Sequence, residues 1–213
     1  MGDLFQFSSS ASLGKLTGRS AHNLEELLQL IKTCPDSSIF FHTFLTFKKM
    51  REVQVPFNND FAFWISQNLA DQALPEKLTA IELAEHSTIE SLRDRIVAII
   101  ENHKKEDPQV FNRTAAKPFY LCDAVRIVYL TDKFAYNLKS FRESLDSISV
   151  DSIYFHFIES RLQTQLQTDD FSRWIQESLD MPELAAKIRN IDIHIHTLEG
   201  LRHKLTALID QYL

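Results

Sequence analysis

Glycine is scarce in this chain of 213 residues, with only 4 copies against 16 phenylalanines. So few glycines exclude a fold made of tight hairpins and favour helices joined by short connections. Cysteine occurs twice, at Cys34 and Cys122. That is too few for a disulfide framework, and the spacing suits no metal site, so both are read as reduced thiols. No apolar run approaches the roughly 20 residues that span a bilayer. The opening MGDLFQFSSSASLGKL lacks the cationic and then apolar order of a secretory leader. No membrane partner is expected, and a cytoplasmic setting is the default reading. Positive charge is also short: 23 Lys and Arg face 29 Asp and Glu, giving a net charge of −6 and a pI near 5.7. The basic residues are scattered, which argues against a phosphate-tracking surface and against nucleic acid as a partner.

What the chain does have is a pattern written twice. SIFFH at 38–42 returns as SIYFH at 152–156, 114 residues on. At the same offset Phe5 meets Phe119, Leu16-Thr17 meets Leu130-Thr131, and Asn23-Leu24 meets Asn137-Leu138. The offset then becomes 110, and NDFAFWI at 59–65 meets DDFSRWI at 169–175. Further on, Glu90, Leu92 and Arg93 return as Glu199, Leu201 and Arg202. The expected organisation is a repeat unit at 1–102, a polar linker at 103–117 with Pro108, and a second unit at 118–213.

Each unit is expected to begin with a short extended segment. In the second copy, Val125, Ile127 and Val128 lie among polar neighbours in a strand-like stretch. The first copy has SSSASLGK there, which leaves a strand unsupported. A helix is expected at about 21–33 and 135–147, where Leu24, Leu27, Leu28 and Ile31 form one apolar stripe. The next, at about 38–51 and 152–166, is apolar nearly all round its first turns and belongs in a core. A third starts at Asn59 or Asp60 and at Asp169 or Asp170, residues able to cap it. A fourth follows Pro75 and Pro182, and the last covers about 87–103 and 197–212. The fold class is therefore predominantly α: two tandem, pseudo-twofold-related helical units of about five helices each, with at most a short strand pair at the start of each unit.

Phe5 and Phe7, then Thr17-Gly18 with Ala21, Asn23 and Leu24, then SIFFH, NDFAFW and Leu92-Arg93 follow in order. That series resembles the prokaryotic family known as domain of unknown function 5752. The second half resembles a divergent copy of it, with Asp132 in place of the glycine and Asp169 in place of the asparagine. The resemblance supports the folding unit and implies no reaction.

Several repeated polar residues have two open readings. His42 and His156 lie on the most apolar helix. Each is a core histidine bonded to a carbonyl or to Asp60 or Asp170, or else a proton carrier in a pocket. Asp60 and Asp170 read most simply as helix caps, and Trp64 and Trp174 as core aromatics or ligand contacts. Glu90 with Arg93 and Glu199 with Arg202 have ion-pair spacing, and each Arg could tie the last helix to a neighbouring helix end. Thr17 and Gly18 form a turn, or a weak anion site ahead of a helix start. His194, His196 and His203 invite a metal reading, but His194 and His203 have no counterparts in the first copy, so no metal is expected. No nucleophile triad, zinc-protease motif or phosphate loop is present, and no cofactor is implied. The leading expectation is a non-catalytic binding or regulatory scaffold for a protein or small ligand, with a homo-oligomer left open. The alternatives are an enzyme with two equivalent sites built from His42, Asp60 and Arg93 and from His156, Asp170 and Arg202, or a small-anion sensor at Thr17-Gly18.

Overall fold

The segment with the weakest strand pattern is a full strand. In the computed structural model Phe5–Ala21 (β1) and Phe119–Ala135 (β2) are each 17 residues long and pair as one antiparallel two-stranded sheet. They are neither short nor confined to the second copy. The serines of β1 hide it from a pattern search because alternation marks a strand with one buried face. Here the middle of β1 has no such face, with Leu13 and Leu16 both 68% exposed. The structure describes residues 3–52, 55–86, 88–163, 168–192 and 197–213.

Two compact units result: Ser12–Val125, and Met1–Ala11 together with Arg126–Leu213. Each holds the helices of one half of the sequence and the leading end of the strand from the other half. In the first unit, Leu24–Thr33 (α1) runs to Asp36–Phe40 (α2). A single π-helical turn, Phe41–Leu45, joins α2 to Thr46–Glu52 (α3). Then come Asp60–Asn68 (α4), Ala73–Thr79 (α5) and Ile89–Glu106 (α6). The stripe Leu24, Leu27, Leu28 and Ile31 is buried, as are Phe61, Ile65, Leu92, Ile96 and Ile100. Phe119 and Leu121 of β2 complete this core: the Phe119 ring lies 5.5 Å from Phe61 and 5.7 Å from Trp64. A Cβ on Gly14 of β1 would stand 2.5 Å from the tip of the Phe41 ring, so a larger residue there has to displace that ring.

The second unit repeats the order with Leu138–Ser147 (α7), Val150–Tyr154 (α8), a π-turn at Phe155–Glu159 and Ser160–Gln163 (α9). Asp170–Leu179 (α10), Pro182–Arg189 (α11) and Leu198–Ile209 (α12) follow. Its core takes Phe5 and Phe7 from β1. Phe7 stacks on Phe141 at 5.5 Å, and Phe5 meets Phe171 at 5.7 Å and Trp174 at 5.5 Å. Each fully buried phenylalanine contributes about 1.5–3 kcal/mol.

The helix starts are set by the same residue types in both units. Asn23 and Asn137 accept from the backbone N–H of Glu26 and Ser140, each at 2.8 Å. Thr88 and Thr197 accept from Ser91 and Gly200, each at 3.0 Å. Such caps contribute about 1 kcal/mol each. At the α4 and α10 starts the caps are Asn59 and Asp169, accepting from Ala62 and Ser172 at 2.8 Å. Asp60 and Asp170 are therefore not the caps: they occupy the first helical position, where their carboxylates face elsewhere.

Residues 103–117 run along the first unit. Val110 and Phe111 are buried, Arg113 donates to the Leu69 carbonyl at 2.8 Å, and the Ala115 N–H donates to the His22 carbonyl at 2.7 Å.

Candidate functional site

The π-turn carries His42 inward and Asp60 begins the next helix, so the two meet. His42 Nδ1 lies 2.8 Å from Asp60 Oδ2. The other nitrogen, Nε2, accepts the backbone N–H of Cys122 at 2.9 Å. A peptide N–H can only donate, so Nε2 carries no proton and Nδ1–H donates to the carboxylate. His42 is thus a neutral imidazole with both nitrogens engaged, and it is buried. The second unit builds the same motif: His156 Nδ1 is 2.8 Å from Asp170 Oδ2, and Nε2 accepts the Ser8 N–H at 2.7 Å.

The two carboxylates differ in their remaining surroundings. Asp170 Oδ1 accepts from Arg173 Nη2 at 2.7 Å, one turn along α10. The matching position on α4 is Phe63, and no guanidinium pairs with Asp60 among the described residues. Its second partner is the Thr46 hydroxyl, 3.2 Å from Oδ2. The Asp60 side chain is 30% exposed and opens on a cleft of about 510 Å³. Phe41, Met50, Val55 and Phe63 form the apolar walls, and Thr46, Lys49 and Asp60 supply the polar groups. Sequence reasoning missed Thr46, Lys49 and Phe63. The one available signal was the Phe63/Arg173 mismatch, the position of the motif where an aromatic faces a charge.

The remaining candidates lie elsewhere. Arg93 donates to Asp36 at the start of α2, at 2.6 Å. Arg202 pairs with Glu199 at 2.8 Å and donates to the Leu145 carbonyl in the last turn of α7. Neither is hydrogen-bonded to a His–Asp pair. Trp64 Nε1 donates to the Lys117 carbonyl at 2.8 Å, and Trp174 Nε1 to the Asp3 carbonyl at 2.6 Å. Both indoles pin the entry to a strand.

Thr17 and Gly18 lie inside β1 rather than ahead of a helix start, because strand pairing continues to Ala21. Thr17 Oγ1 donates to the Leu121 carbonyl at 2.8 Å, and Thr131 Oγ1 to the Phe7 carbonyl at 2.7 Å. Gly18 has φ +78, a left-handed conformation that glycine adopts without strain.

Burial pushes the Cys34 thiol up. Burial, then the nearby Asp60 and Asp123 carboxylates, push Cys122 up as well. Neither is an activated thiolate. His194 and His196 lie outside the described residues, and His203 is exposed. Among the described residues no group of three or more His, Cys, Asp or Glu could hold a metal, and no helix is long and apolar enough to cross a membrane.

The model of the family of unknown function DUF5752 matches residues 2–210 in a single span across both halves. The chain belongs to this family. The solved structure of OrfY from Thermoproteus tenax resembles this DUF5752 chain with a TM-score of 0.84 and 27% identity, over 98% of this chain and 95% of that one. No curated protein matches.

Proposed function

We propose that this DUF5752 chain is a non-catalytic helical module for recognition or regulation, built by internal duplication. The observation that carries the first part is the state of the two histidines. Each imidazole has its acceptor nitrogen occupied by a strand N–H and its donor nitrogen on a carboxylate. A general base needs a free lone pair within reach of a substrate proton, and neither ring offers one. The shifted cysteines add no nucleophile. The Asp60 cleft, by contrast, has the size and the apolar-with-few-polar lining of a small-ligand pocket.

The duplication is supported by contacts that recur at the offsets of 114 and 110 seen in the sequence. Trp64 to Lys117 matches Trp174 to Asp3, and Cys122 to His42 matches Ser8 to His156. Thr17 to Leu121 matches Thr131 to Phe7.

Ring-nitrogen NMR tests the reading. The expected spectrum has both histidines as Nδ1–H tautomers that keep this tautomer when ligands are added. A metabolite that is consumed by the wild type but not by His42→Gln or His156→Gln would overturn it.

A further inference from the structure

We propose that the cleft beside α3 and α4 binds a small organic cation, an amine or guanidine carried on an apolar body, with Asp60 as its anchor. The inference rests on the reading of the chain as a binding module and adds the ligand class.

Charge is the first argument. Because His42 is neutral, the His42–Asp60 pair keeps a full negative charge. Among the described residues, both hydrogen bonds to that carboxylate fall on Oδ2, from His42 and Thr46. No lysine or arginine pairs with Asp60 among the described residues. A carboxylate at the mouth of an apolar cleft attracts a cation more strongly than one in bulk water, since the local dielectric is lower.

The second unit supplies the complement from its own chain. There the matching carboxylate holds the Arg173 guanidinium, one turn along the same helix. In the first unit that position is Phe63, whose ring is 39% exposed. Where one copy carries a cation, the other has an aromatic wall and open space.

The walls then fix the rest of the ligand. Phe41 already has the Lys49 ammonium over its ring at 5.7 Å, so that face accepts positive charge. Met50 and Val55 offer apolar surface for a hydrocarbon or aromatic body. Lys49, at the same cleft, disfavours a second positive charge on the ligand and favours an acidic tail. Simple amines and amino-acid zwitterions share the recognised group, and the assay separates them.

Isothermal titration of the full chain uses phenethylamine, isoamylamine, phenylalanine and the neutral analogue 2-phenylethanol. The amines are expected to bind at one site per chain, and the alcohol at least about tenfold more weakly, the loss of one charge-assisted contact. Phenylalanine binding more tightly than phenethylamine assigns the acidic tail to Lys49; the reverse order assigns the site to simple amines. Phe63→Arg recreates the Arg173 arrangement, so it is expected to keep the melting temperature and lose amine binding. Asp60→Asn is expected to lose binding as well. Amines that fail to bind, an alcohol that binds equally well, or a Phe63→Arg variant that binds unchanged would each overturn the proposal. If only neutral or acidic ligands bind, the cation site falls while the binding module stands. If an amine is bound and chemically altered in a His42-dependent way, the non-catalytic reading falls while the site stands.

Discussion

His42 and His156 have their ring nitrogens committed to the fold, and removing either ring leaves a strand N–H and a carboxylate without partners. His42→Phe and His156→Phe are each expected to lower unfolding stability by about 2 kcal/mol or more, read as a shift of the urea midpoint at constant slope. A second residue-scale contrast concerns Asp169. Burial raises its carboxyl above the ordinary value of 3.8, with Arg161 and the Ser172 groups opposing that rise. The folded state therefore holds this proton more tightly than the unfolded chain does. The benefit is complete below pH 3.8 and is lost as pH rises through the folded value. Asp169→Asn is expected to flatten this fall in a series of urea midpoints across acidic pH. Arg161→Ala leaves the buried carboxylate unpaired and is expected to cost about 3–5 kcal/mol near neutral pH.

At the scale of elements, the α4 start uses a neutral amide where α10 uses a charge pair. Asn59 Nδ2 donates to Asn58 Oδ1 at 2.7 Å and to the Leu78 carbonyl at 3.1 Å. In the second unit Arg161 serves both Asp169 and the Arg189 carbonyl. Asn59→Asp sets a buried carboxylate oxygen against Asn58 Oδ1 and the Leu78 carbonyl, both of which accept from the native amide. It is expected to destabilise by about 2 kcal/mol or more, whereas the wild-type Asp169 is tolerated; thermal melts of the two single swaps give the comparison. The apolar stripe of α1 was readable because helical period is a local signal. The choice between Asn59 and Asp60 was not, since two adjacent Asx residues offer the same cap and only the distant His42 separates them. Nor was β1 legible, because a ribbon exposed along its middle needs no apolar alternation.

For the whole molecule, the exchange of strand ends could not be read from the sequence at all. Phe-x-Phe in one copy and Phe119-x-Leu121 in the other suit either set of helices equally well. Backbone geometry decides it. A 17-residue strand extends roughly 55 Å. β1 enters α1 after only His22 and Asn23, so its first residues cannot fold back onto the helices it leads into. The fragment 118–213 therefore lacks Phe5 and Phe7, a loss of about 3–6 kcal/mol of burial against a typical whole-domain stability of 5–15 kcal/mol. It is expected to show weak near-ultraviolet circular dichroism alone and to regain it with excess peptide 1–11. The peptide carrying Phe7→Ala is expected not to restore the signal.

The crossing of strands also sets an order of events at the ribosome. Residues 12–106 emerge with every α-helix of their unit but without Phe119 and Leu121, so that core stays open until the chain has grown past Leu121. The segment around Phe5 and Phe7, made first, finds its seat only after Trp174 has been synthesised. At about 5–20 residues per second those two rings stay without their permanent neighbours for many seconds. A nascent chain of this kind is an early client for whatever shields exposed aromatic side chains during translation.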